Sequence, residues 1–423
     1  MRSLKAQYFC GFAVMGSVVP YAPVFLEARG LSDFQIGVVI ATTGVAILLT
    51  PVIITLLADT RFENRSMIAT TYGLGLLGLA ALWQAHTFTT LLLGYGLWAM
   101  GFWPLLPLQD GLNFAMRRRQ TDAGQRDVPY HHVRVWGTIG FIVPSVLLWP
   151  VLYRGMPVGA TLWSGMLFCL VGFGVTRLLP RVRQPVAGQA QASESAEAES
   201  SEPAEAASDE PASLDPPEKT NRLPTLEAAR RMREPQLLLF AIAMWLTHLA
   251  NAAYYTFYPR YLTDDSLLQL GDHWVGVIAN VGVVVEIFFM LGFGLFMRKL
   301  GLRWLMVVGS VAMAVRLGLL YAIPTVPIAV GTQLFHGISV LVLHVAPPVF
   351  INHHAGPSYR NSMQGFYAMS VFGTGRVIGY IAAGLIAELS LLGVFAYAMA
   401  LCLLAAPLFY LAFHYDTSEP VEP

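Results

Sequence analysis

Gln189-Ala-Gln-Ala-Ser-Glu-Ser-Ala-Glu197, followed by Pro203, Pro211, Pro216 and Pro217, interrupts a chain that is otherwise strongly apolar. A stretch this poor in aliphatic side chains cannot bury enough surface to offset its conformational entropy, so residues 181–235 read as a disordered linker. Outward from it, apolar runs stand near 6–28, 34–58, 66–86, 88–115, 135–153 and 158–180 on one side. On the other side they stand near 236–262, 273–297, 302–322, 325–352, 359–389 and 390–414. Each is close to the ~20 residues that cross a bilayer's hydrocarbon core as a helix. The expected architecture is an all-α membrane protein of twelve transmembrane helices. It comprises an N-terminal six-helix bundle (1–180), the cytoplasmic linker, a C-terminal six-helix bundle (236–414) and a short cytoplasmic tail (415–423).

Composition agrees with this reading and excludes several others. Of the 423 residues, 55% are hydrophobic and only 12% charged, more apolar side chain than a soluble fold of this length would bury. The formal net charge of +0 gives no global field for nucleic acid. Cys10, Cys169 and Cys402 sit singly inside apolar runs, without the spacing of a disulfide framework or a zinc site. They read as packing residues, and no cofactor is expected. HExxH and GxSxG are absent from the sequence, as is a cysteine–histidine nucleophile arrangement, which argues against a membrane-embedded enzyme.

Orientation follows from basic residues, which resist translocation. With both termini cytoplasmic, the inner segments receive Arg2, Lys5, Arg61, Arg65, Arg117, Arg118, Arg119, Arg126, Arg134, Arg298, Lys299, Arg303 and Arg360. The outer loops then receive only Arg29, Arg154 and Arg260, so a multi-pass protein of the cell inner membrane is expected. Two six-helix halves joined by a cytoplasmic linker suit repeats packed around a midplane site. Ala58-Asp59-Thr60-Arg61 with Arg65, after the second span, and Met297-Arg298-Lys299-Leu300-Gly301-Leu302-Arg303, after the eighth, occupy equivalent places in the two halves.

Those two loops resemble the signature loop of the major facilitator superfamily. Further segments resemble the phenylpropionic acid transporter group within it, a relative of the proton-coupled lactose and nucleoside symporters. They are Pro104-Leu-Leu-Pro-Leu-Gln-Asp110, His132-Val-Arg-Val-Trp-Gly-Thr-Ile-Gly140, Ala252-Ala-Tyr-Tyr255, Val283-Val-Val-Glu286, Val315-Arg316 and Gln333-Leu-Phe-His336 with His344. The resemblance implies the major facilitator fold and proton-driven uptake of a small organic solute, such as an aromatic acid, by alternating access. The alternatives are a sugar or nucleoside symporter and a transporter-like membrane sensor. The partners implied are a small-molecule substrate, protons and the lipid bilayer, with the protein a monomer.

Ionisable side chains at membrane depth are costly and mark candidate sites. Glu286, Arg316 and His336 form the candidate proton-coupling set, with Glu286 and Arg316 expected to pair while the carboxyl is ionised. Gln333, His336, Val340 and His344 recur at i, i+3, i+7 and i+11, one stripe facing the bundle interior. His248, Asn251, Tyr255 and Tyr258 repeat the pattern on span seven. The candidate substrate contacts are Asn251, Tyr255, Arg316, His336, His344 and Asp110. Tyr258 and Tyr261 are expected in an interfacial aromatic belt, and Glu27 in solvent near the outer interface. Through the resemblance, Asp110 and Arg134 are expected to touch, with Arg134 and Asp59 serving conformational roles. Arg376, among Gly373, Gly375 and Gly379, has no counterpart in the family pattern. It reads either as a second anion hook or as a snorkelling side chain.

Overall fold

The computed structural model describes residues 1–59, 63–122, 130–180 and 230–413. The expected linker falls almost wholly, and the expected tail wholly, outside the described residues. Eleven described helices are long and apolar enough to cross a membrane. In chain order with α2, Asp33–Asp59, they are α1 (Arg2–Ala28), α3 (Asn64–Gln84), α4 (Phe88–Arg117), α5 (His132–Tyr153) and α6 (Ala160–Leu178) in the first half. The second half has α7 (Pro235–Thr263), α8 (His273–Leu291), α9 (Phe293–Ala322), α10 (Val326–Ile351), α11 (Met363–Leu389) and α12 (Leu391–Ala412).

Breaks in these helices fall where backbone chemistry dictates. α1 is interrupted between Val18 and Ala22, at Pro20, and α4 between Phe102 and Leu105, at Pro104. Proline supplies no N–H to the helix ladder. The basic stretch after α8 is not an open loop. Helix resumes at Phe293 and runs to Ala322, bent at Gly301, whose φ of +68° suits a residue without Cβ. α10 changes winding four times, from α over Val326–Gly331 to 3₁₀ over Thr332–Phe335, α over His336–Val340, π over Leu341–Val345 and α again from Ala346. A second π-helical turn, Ala368–Gly373, lies in α11.

Apolar packing is organised in two cores. One gathers side chains of the second six helices, including Phe240, Phe257, Leu305, Phe395 and Phe409. The other is built mainly from the first six, including Tyr8, Tyr72, Trp98 and Phe102. The halves meet chiefly along two helix pairs, α2 with α11 and α5 with α8, with a smaller contact of α1 with α7. Glycine sets both main approaches. A Cβ on Gly37 would lie 2.5 Å from the Tyr380 carbonyl oxygen, and one on Gly276 would lie 2.8 Å from the Ser145 Cβ of α5.

At the same end of the molecule Arg260 of α7 reaches into the other half. Its Nε is 2.9 Å from Glu27 Oε2, its Nη1 is 2.8 Å from Asp33 Oδ1, and its Nη2 is 3.5 Å from Asp264 Oδ2. The Phe34 amide donates to Glu388 Oε1 at 3.0 Å beside this cluster. Glu27, expected in solvent, is therefore an ion-pair partner across the halves.

Candidate functional site

Between the halves lies a cavity of about 320 Å³, within the range of small-molecule sites. Its wall combines Phe12, Trp103, Arg134 and Phe141 of the first half with Tyr255, Glu286, His336, His344 and Arg376 of the second.

The floor of the second half is set by a close approach of α8 to α10. A Cβ on Gly282 would stand 2.7 Å from Gln333 Oε1 and 2.9 Å from the His336 ring. With only hydrogen there, the helices come together and Glu286, one turn on, faces His336: Oε2 and Nε2 are 3.6 Å apart. Tyr255 packs edge-on against the same imidazole at 6.1 Å.

The expected Glu286–Arg316 pair is not the contact the structure makes. Arg316 is 3% exposed and lies behind the wall. Its Nη2 donates to the Tyr254 hydroxyl and, at 3.0 Å, to Gln333 Oε1, while the guanidinium stands 4.0 Å from the centre of the Tyr254 ring. Gln333 Nε2 closes the triangle by donating to the Tyr254 hydroxyl at 3.0 Å. A buried cation is thus held by two neutral oxygens and an aromatic face, interactions that strengthen where water is excluded. The physical reason for the difference is that the α8–α10 contact at Gly282 gives the carboxylate to α10, while Tyr254 of α7 takes the guanidinium.

In the first half the roles expected of Asp110 and Arg134 are exchanged in position. Arg134 lines the cavity, 4.1 Å from the Phe12 ring centre. Asp110 is not among the lining side chains and accepts a hydrogen bond from the Tyr8 hydroxyl. The Tyr8 ring in turn lies 5.9 Å from the Arg134 guanidinium, so tyrosine links the two.

Asn251 is buried, off the cavity wall, and its amide nitrogen has no acceptor among the described residues. His248 is fully buried, with Nε2 3.3 Å from the Tyr367 hydroxyl. Tyr258 and Tyr261 are core residues rather than belt residues. Tyr258 lines the cavity and donates to the Ala329 carbonyl at 2.9 Å, and Tyr261 donates to the Leu320 carbonyl at 3.1 Å. His344 reaches the wall from the π-turn, edge-on to Phe372 at 5.8 Å. Asp59 closes α2, and its side chain lies outside the described residues.

Residues not singled out from the sequence also shape the site. Trp103 sits at the α4 break, and Tyr254 joins Gln333 of the α10 stripe in carrying Arg316. Tyr254 stood within the quoted Ala252–Tyr255 segment but one position off the polar stripe. Arg260 had one readable sign, an acid four residues on at Asp264.

Comparison with known proteins adds a frame. The profile of the MFS_1 like family matches residues 1–397. The chain is 26% identical to "Probable 3-phenylpropionic acid transporter" of Escherichia coli (strain K12), covering 96% of both chains. It is 24% identical to "Nucleoside permease NupG" of the same organism, over 91% of this chain and 87% of that one. The crystal structure of nucleoside transporter NupG superposes with a TM-score of 0.78 at 20% identity, covering 98% of this chain and 99% of that one. A bacterial homolog of the human lysosomal transporter Spinster, in an inward-facing and unoccupied conformation, superposes with a TM-score of 0.66 at 14% identity. That match covers 100% of this chain and 98% of the other.

Proposed function

The chain belongs to the MFS_1 like family and is a multi-pass membrane transporter, not an enzyme; from that premise we propose that it couples proton entry to uptake of an aromatic acid. The observation that carries the reading is the Glu286–His336 pair on the wall of a cavity shared by the two halves.

The pair gives coupling a physical form. A carboxylate 3.6 Å from an imidazole offers one proton two neighbouring sites. With the carboxyl ionised, Glu286 holds α8 to α10; protonated, it has no charge for His336 to answer. Gln333, one turn before His336, is fixed to Arg316 and Tyr254, so a shift of α10 is felt at that triangle as well. The cargo reading is supported by the aromatic wall, by Arg134 and Arg376 facing the same space, and by the likeness to a 3-phenylpropionic acid transporter.

In this reading the protein is a monomer in the cell inner membrane with both termini cytoplasmic. The end closed by Arg260, Gly37 and Gly276 faces outward, and the state described is inward-facing. Asp59 and Arg134 act in changing state, while Tyr255, His336 and His344 contact the substrate. Asn251, Asp110 and Arg316 support those contacts from behind the wall.

A nucleoside symporter is the second reading, favoured by the likeness to nucleoside permeases. Purified protein in liposomes containing a pH dye separates them. Phenylpropionate-dependent acidification, lost in Glu286→Gln, is expected. Acidification driven by uridine and not by phenylpropionate would select the second reading. Flux of neither would favour a transporter-like sensor.

A further inference from the structure

We propose that Arg376 and Trp103 form the seat for the carboxylate of the cargo, one donor from each half; this rests on the aromatic-acid reading above. Phe372, Arg376 and Tyr380 recur at i, i+4 and i+8 on α11, and Arg376 and Tyr380 reach the cavity. The neighbouring face of α11 is glycine. Cβ atoms on Gly375 and Gly379 would stand 3.0 Å from His248 Cβ and 2.8 Å from Ala252 Cβ, so α11 presses onto α7 along that face. This leaves Arg376 directed away from its own half.

There its guanidinium stacks 4.5 Å from the centre of Phe372 and lies 5.9 Å from that of Trp103, across the boundary between halves. Trp103 is placed by the break in α4 at Pro104. Two donors in this contact lack an acceptor among the described residues, Nε of Arg376 and Nε1 of Trp103. Among the described ion pairs none involves Arg376, and the Glu286 carboxylate on the same wall is matched by His336. A guanidinium at membrane depth with no ion-pair partner among the described residues, near a tryptophan whose indole N–H also lacks an acceptor there, has the chemistry to receive an anionic oxygen pair. Because the donors belong to opposite halves, a carboxylate taken there is held by both, and a neutral analogue of the same shape is not.

Thermal-shift titrations of purified protein with phenylpropionate, phenylpropanamide and uridine test the seat. Wild type is expected to bind the acid about tenfold more tightly than the amide. Arg376→Gln should lose that preference by weakening the acid about tenfold, and an unliganded Tm near that of wild type shows the variant is folded. Arg376→Lys should retain part of the preference. Trp103→Phe, which keeps a ring but removes the N–H, should weaken the acid alone by a few-fold. If Arg376→Gln binds acid as tightly as wild type, the seat is wrong and the aromatic-acid reading stands. If uridine stabilises both proteins and the acid neither, cargo reading and seat fall together.

Discussion

Arg260 of the second half is ion-paired with Glu27 of the first at 2.9 Å, a contact that ties the end of α7 to the end of α1. The arginine side chain is 9% exposed and has Asp33 as a second acid from the first half. Arg260→Ala leaves these carboxylates facing one another without a cation. Removing one partner of a largely buried pair costs up to about 3–5 kcal/mol; the partial exposure of Glu27 reduces this to about 1–2. The end closed by Arg260, outward in the proposed orientation, should then open about tenfold more often. A Val19→Cys reporter on the cavity wall should react correspondingly faster with an external maleimide, and an unchanged rate would mean that Arg260 does not hold this state.

Gly37 offers an independent route to the same change. Gly37→Val places carbon 2.5 Å from a backbone oxygen of α11, an atom that cannot rotate away. The α2–α11 seam should fail to close, raising labelling of the same reporter and reducing uptake by more than about tenfold. Normal uptake with normal labelling would show that the seam tolerates separation.

His336→Gln preserves size and hydrogen bonding but removes the second proton site of the pair. Uphill accumulation of cargo should fall by about a hundredfold, the low end of the usual contribution of a positioned acid–base group. Exchange of cargo across liposomes at equal pH should fall much less. Equal loss of both would assign His336 to binding rather than coupling.

Tyr254→Phe removes the oxygen that receives hydrogen bonds from both Arg316 and Gln333. Leaving a buried cation one acceptor short costs about 1–3 kcal/mol. A lower Tm in detergent is expected, with the maximal loss in the absence of cargo. A Tm within a degree of wild type would show that Arg316 finds another oxygen.

How far the sequence could be read depended on whether a property was periodic or pairwise. Span positions followed from hydropathy, and the stripes on α7 and α10 bring Tyr255, His336 and His344 to one cavity while leaving His248 and Asn251 off its wall. Periodicity says which face a residue occupies but not which neighbour it meets. Arg316 and Glu286 were matched by charge, yet a hydrogen on Gly282 decided that the carboxylate would meet imidazole. Asp110 and Arg134 were likewise matched directly, and Tyr8, more than a hundred residues from either, stands between them. Arg260 escaped notice because a charge at the end of an apolar run looks the same whether it faces headgroups or another helix.

The π-wound turns of α10 and α11 each carry one residue more than an α-turn needs. Such a surplus is slack that can be passed along a helix like a ruck along a carpet. Moving it past His344 or toward Arg376 would swing that side chain by about 100°, the angle per residue of an α-helix, with few ladder bonds broken at any moment. In the proposed mechanism, the two helices that contribute His336, His344 and Arg376 to the cavity can re-aim their polar groups separately from any rocking of the halves. A cargo that engages only one of those groups on entry can be handed to another before release.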